Sequence, residues 1–133
     1  MFHPIRVPAE AVMLYNVVKL KDGVSIEDVE MTLGDMCYAV KSNYPEFISG
    51  QVLKFTGAIS KEGSVNAPTI ADDHIAIITY WISLEAHERS HADELFKSHF
   101  CGLLEMSESA YELAYEVMWQ GENPDTSFKF DES

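Results

Sequence analysis

His87 and His91 stand one helical turn apart in the run His87-Glu88-Arg89-Ser90-His91. At that spacing two imidazoles share a helix face and can hold zinc while the intervening glutamate activates water. The pattern is short, however. Zinc-protease helices keep the flanking positions uncharged so that the helix can be buried, whereas here Arg89 sits between the histidines and Asp93 and Glu94 follow. His99, Asp93 and Glu94 are the available third ligands. The sequence favours ordinary residues on a half-exposed helix over a metal site, and no metal is assigned.

Other polar residues stand out by where they interrupt apolar patterns. Asn16 breaks the alternation of Val12, Leu14, Val18 and Leu20, so its amide faces a core and must find partners there or point into a pocket. His99 is the one polar member of the helical stripe Phe96, His99, Phe100 and Leu103, either satisfied within the core or reaching an internal pocket. Trp81 and Tyr80 end a β-branched run. Cys37 and Cys101 fall within helical patterns with no activating motif around them, and are expected to be buried, reduced, structural thiols.

Composition bounds what these residues can serve. The 133 residues, 47% of them hydrophobic, suffice for one core, so a single domain over residues 1–133 is expected. With 22 acidic against 9 basic side chains the formal charge is −13, which repels phosphate backbones and anionic membrane surfaces. Nucleic acid is not expected as a partner. No apolar run reaches membrane-spanning length, and MFHPIRVPAE lacks the basic flank and apolar core of a signal peptide, so a cytoplasmic protein is expected.

The elements follow in order. Residues 1–11, with Pro4 and Pro8, read as an irregular arm. Val12–Lys21 has strand composition and ends at Asp22-Gly23. Ser25 is placed to cap a helix whose stripe is Val29, Leu33, Met36, Cys37, Val40 and Tyr44, stopped by Pro45. Phe47–Phe55 is a second strand, and residues 61–73 form a long loop that either covers a pocket or is an insertion. His74–Ile82 is apolar on both parities, which asks for a cover on each face of the sheet. A helix then leads to a fourth strand, Tyr111–Gln120, and a tail over 121–133.

The order β-α-β-β-α-β predicts an α+β, ferredoxin-like fold, a four-stranded antiparallel sheet with two helices on one face. Two helices dry only one face. The simplest second cover is another copy, so a homodimer through facing sheets is expected.

The segment ITYWISLEAHERSH, an apolar strand ending in Trp81 and entering a helix at Ser83-Leu84-Glu85-Ala86-His87, resembles the strand-three-to-helix passage of the antibiotic biosynthesis monooxygenase family in the dimeric α+β barrel superfamily. Tyr44-Pro45-Glu46-Phe47-Ile48-Ser49-Gly50 is similar to that family's entry into strand two. The resemblance implies a dimeric barrel and a small monooxygenase-like protein that oxidises a small aromatic or quinol-like substrate without a cofactor. The pocket would lie between sheet and helices, with Asn16, Trp81 and His99 acting and Tyr80, His91 and Phe96 contacting substrate. The haem-degrading branch is similar in carrying an asparagine on its first strand, matched by Asn16. Where that branch has a helix tryptophan and a later histidine, this chain has Ser90 and Phe100, with His99 one position away. A non-catalytic dimeric small-molecule-binding or stress-associated module is the alternative.

Overall fold

A computed structural model describes residues 4–66, 73–90 and 94–121, without the side chains of Ser90, Leu95 and Phe96. Four strands, β1 (Val12–Leu20), β2 (Phe47–Lys54), β3 (Ile75–Trp81) and β4 (Ser107–Glu116), and three helices, α1 (Ile26–Asn43), α2 (Leu84–Ser90) and α3 (Glu94–Glu105), follow in the order β1-α1-β2-β3-α2-α3-β4. The sheet order is β2-β3-β1-β4, and every neighbouring pair is antiparallel. This is the ferredoxin-like α+β arrangement expected from the sequence. Where the sequence suggested one helix after β3, the structure has two helical segments. Residues 67–72 of the loop expected over 61–73, and 122–133 of the expected tail, lie outside the described residues.

Local chemistry accounts for the boundaries. Ser25 is the N-cap of α1, and Asp28 Oδ2 accepts from the Ser25 amide at 2.7 Å, which satisfies a backbone donor at the exposed helix start. Glu27 beside it has its pKa lowered, chiefly by a backbone hydrogen bond and then by Ser25. At the other end Tyr44, before Pro45, is already extended at φ −129° and ψ 98°. Gly23 takes φ +82° in the β1–α1 turn, a conformation that disfavours any residue with a Cβ.

Strand pairing sorts the side chains onto two faces. Leu14, Asn16 and Val18 pair with Thr79, Ile77 and Ile75 on one side and with Ala114, Glu112 and Ala110 on the other, and this parity faces the helices. One core cluster joins Val18 and Ile75 to Val29, Leu33 and Met36 of α1 and Leu103 of α3. A second joins Leu14 and Trp81 to Val40 of α1 and Ala86 of α2. On the opposite parity Val17 and Ala76 are buried, but Leu53, Leu113 and Tyr115 toward the two edges stay 43%, 43% and 49% exposed in the single chain.

The fourth strand departs from the expected Tyr111–Gln120. It begins at Ser107 and stops at Glu116, because β1 offers rungs only from Leu20, opposite Ser107, to Val12, opposite Glu116. Polar Ser107–Ala110 has no apolar alternation of its own and becomes strand by pairing with β1, a tertiary contact overriding local preference. Beyond the last rung Met118 and Trp119 are 89% and 85% exposed. Both cysteines are also corrected: Cys37 and Cys101 are exposed residues and not buried ones. Among the described residues, no helix is long and apolar enough to cross a membrane.

Candidate functional site

Between the two core clusters the helix layer stands off the sheet and leaves a half-open cavity of about 390 Å³. Its walls are Val18, Leu33, Met36 and Leu103 from one cluster and Val40 and Trp81 from the other. Phe47, Ile77, Phe100 and Leu104 extend the apolar surface. The lining residues with polar side chains are few: Asn16, Thr79, His87, Tyr111 and Glu112, with the Cys37 thiol and the Trp81 indole. No lysine or arginine lines the cavity among the described residues, so it suits a neutral, flat, apolar ligand with few polar atoms.

Asn16 has the core-facing parity expected from the alternation, and of the two outcomes left open for its amide both occur: it bonds a neighbour and lines the cavity. Its position on β1 lies between Ile77 of β3 and Glu112 of β4, and its Nδ2 donates to Ile77 O at 3.2 Å. That bond fixes the amide while using one of its two N–H groups and neither carbonyl lone pair. Trp81 is 1% exposed and forms the end wall. Its indole Nε1–H donates to Thr79 Oγ1 at 3.0 Å. Phe47 meets it edge-on at 5.4 Å between ring centroids, and Tyr44 lies at 6.2 Å. Gly50 makes room for this packing, since a Cβ there would stand 3.3 Å from Phe47 Cζ.

His87 is corrected from the half-exposed position expected of it. It is 4% exposed, edge-on to Trp81 with centroids 5.2 Å apart, and its Nε2 lies 3.3 Å from Glu112 Oε2. Short α2, packed over the end of β3 through Ala86, turns this histidine inward. The Arg89 Nη2 to Glu46 Oε1 contact at 2.7 Å, and the Tyr44 hydroxyl donating to Arg89 O at 3.4 Å, tie α2 to the α1–β2 connection. The arrangement sets a buried imidazole beside a carboxylate at the edge of the cavity, a geometry that can pass a proton.

The remaining expected site residues are dispersed. His99 is partly exposed with Nδ1 4.0 Å from Asp35 Oδ2, and it does not line the cavity. Tyr80 has the other parity of β3, opposite Met13, and faces away from the helices. His91 and the Phe96 side chain lie outside the described residues, and so does the second half of the histidine pair. Glu112 had no sequence signal beyond its parity: it shares a face with Ala110 and Ala114, small residues that leave depth above the sheet.

Burial raises the pKa of Cys37. The residue as a whole is exposed, but it lines the cavity, and desolvation on that side disfavours the thiolate.

No protein-family profile matches the sequence, and no curated protein matches it either. Solved structures do. SnoaB, a cofactor-independent oxygenase from Streptomyces nogalater, superposes with a TM-score of 0.60 at 15% identity over 84% of this chain and 97% of that one. A candidate antibiotic biosynthesis monooxygenase from Caulobacter crescentus gives 0.62 at 12% identity over 84% and 92%. A dimeric ferredoxin-like protein of unknown function from Thermobifida fusca gives 0.63 at 8% identity over 86% and 100%. The structural neighbours of this chain are thus antibiotic biosynthesis monooxygenase-like proteins of ferredoxin-like fold, and at these identities the likeness extends to the fold alone.

Proposed function

We propose that the protein is a cofactor-independent monooxygenase that oxidises a small aromatic or quinol-like substrate in the cavity between sheet and helices. The observation that carries this reading is the Glu112–His87 pair facing an otherwise apolar space of about 390 Å³. An oxygenase without a cofactor must draw its electrons from the substrate itself, and a phenolic or benzylic C–H acid becomes a sufficient donor once deprotonated. The pair takes that proton, and its charge is shared between carboxylate and imidazole. The resulting carbanion passes one electron to O₂. Recombination of the two radicals forms a C–O bond, the pair returns the proton to the peroxide, and loss of water leaves a carbonyl. The sum is CH₂ + O₂ → C=O + H₂O. Asn16 holds a substrate oxygen, and Trp81 provides the surface against which the ring lies.

Incubation of metal-free protein with anthrones, whose ring CH₂ is the acidic position, under ¹⁸O₂ tests this. The expected result is accelerated O₂ uptake, with one labelled atom in the product carbonyl. Tight binding without O₂ uptake would sink the enzymatic reading and leave a small-molecule-binding module.

The same reading includes a homodimer through facing sheets. Leu53, Leu113 and Tyr115, each more than 40% exposed on the face away from the helices, form the surface a second copy would bury. Neighbours from Thermobifida fusca and Bacteroides fragilis are described as dimeric. Such a dimer would work in the cytoplasm, where thiols such as Cys37 and Cys101 stay reduced. Sedimentation equilibrium at micromolar concentration decides the assembly, and a persistent monomer would overturn it.

A further inference from the structure

Thr79 stands on the floor of the cavity between Trp81 and the Asn16 rung, a position none of the chemistry above uses. We propose that Thr79 is a specificity-determining hydrogen-bond donor, whose hydroxyl recognises an acceptor oxygen, a ketone or quinone carbonyl, on the ligand. This inference deepens the reading of the cavity as an aromatic-binding site and rests on it.

The argument begins with the indole. Trp81 Nε1–H is a donor only, and Thr79 Oγ1 accepts it at 3.0 Å. That contact occupies a lone pair of the hydroxyl and fixes where Oγ1 sits, but it leaves the hydroxyl hydrogen. No acceptor among the described residues takes that hydrogen. Side-chain freedom is small as well. Threonine is β-branched and stiff at χ1, and its Cγ2 lies toward Gly50, its partner across β2, at 3.6 Å from where a Cβ would be. With the methyl group on that side and the indole on the other, the O–H is available to the cavity.

Asn16 offers its second N–H one rung away, and the rest of the surroundings make the donor at Thr79 decisive for a ligand oxygen placed there. The adjacent walls, Leu33, Val40, Phe47 and Ile77, offer no hydrogen bond, so a ligand oxygen placed near them loses water without compensation. A ligand carbonyl over Thr79 recovers that loss and a hydrocarbon of the same shape gains nothing. Discrimination by a polar group in an apolar pocket works in this direction. Thr79 is therefore complementary to Glu112: one supplies a hydrogen and the other accepts one, at different places along the same cavity.

The test uses two bicyclic probes of nearly equal shape, α-tetralone and its hydrocarbon parent tetralin. Binding is followed by tryptophan fluorescence in a Trp119→Phe background, which leaves Trp81 as the sole tryptophan of the two in the chain. The Trp119→Phe protein should bind the ketone about fivefold more tightly than the hydrocarbon, the scale of one hydrogen bond. Adding Thr79→Val should abolish that preference while changing tetralin affinity by less than about twofold, and Thr79→Ser should retain it. The infrared C=O stretch of bound tetralone should shift to lower frequency in the protein with Thr79. That shift should persist in Asn16→Leu, which removes the amide donor of the cavity, and reading it does not require the valine variant to fold. Equal losses for both probes in Thr79→Val would mean that Thr79 acts only by positioning Trp81, and an unshifted C=O stretch would equally overturn the proposal. If neither probe binds the protein with Thr79 intact, the aromatic-site reading itself fails. If both bind with equal affinity, that reading stands and only the role of Thr79 falls.

Discussion

His87 Nε2 lies 3.3 Å from Glu112 Oε2, joining a seven-residue helix to an edge strand that starts after α3. Neither residue is notable alone. Together they place a proton acceptor against an apolar wall, where its interactions are stronger than in water. If this pair is the base, Glu112→Gln and His87→Gln should each lower turnover by about 10²–10⁴-fold. The double variant should be little worse than either single one, because the two act as a unit. Steady-state O₂ uptake on the same substrate measures both. Additive losses would show that they do not.

Asn16 should affect turnover more than affinity. Asn16→Leu removes the hydrogen bond to Ile77 O and the polar group facing the cavity, but preserves the bulk. Turnover is expected to fall by about tenfold or more, the scale of a lost hydrogen bond to a developing oxyanion. Affinity for a hydrocarbon probe should hold or rise. A loss of hydrocarbon binding equal to the loss of turnover would assign Asn16 to the shape of the pocket instead.

Trp81 is the structural pivot as well as the cavity wall. Its side chain is 1% exposed and packs on Tyr44, Phe47 and His87. Trp81→Ala should cost about 3–5 kcal/mol in urea unfolding. Trp81→Phe leaves Thr79 without its indole donor but keeps most of the volume, and should cost less than half as much. Equal costs for the two variants would place the indole N–H, and not the ring, at the centre of its contribution.

Cys37 supplies a pH-dependent reporter. Burial on the cavity side raises its pKa above the ordinary thiol value of 9.0, so alkylation should be slow at neutral pH and should climb only above pH 9.0. The linkage has a definite sign. A raised folded-state pKa contributes stability that is complete below the unfolded value and is lost as pH rises through the folded one. A Cys101→Ser variant isolates the signal in a mass-spectrometric iodoacetamide assay. Bound α-tetralone should protect Cys37 further, and unchanged labelling would place the thiol outside the ligand's reach.

The amino-acid pattern alone determined the order of elements, the cap at Ser25, the stop at Pro45 and the inward face of Asn16. Each of these is local: a 3.6- or 2-residue period, a capping side chain, or a proline that cannot continue a helix. Trp81 as a wall was legible for the same reason, since it ends the run of β3 on the parity of Ile75, Ile77 and Thr79. The end of β4 was not, because Glu116 is the last residue only where β1 runs out of rungs, and pairing is a property of two strands. Cys37 fits its helical stripe by spacing and Cys101 falls within a helical pattern, yet both are exposed once the helices settle on the sheet. His99 and His87 exchanged places relative to the cavity on similar grounds. A helical stripe gives a residue's angle on its own helix, but the rotation of α3 against α1 sets His99 beside Asp35. The docking of short α2 over Ala86 turns His87 inward to meet Glu112 from a distant strand. Periodicity fixes which side of an element is apolar; only packing decides which polar atoms those sides bring within 3.3 Å of each other.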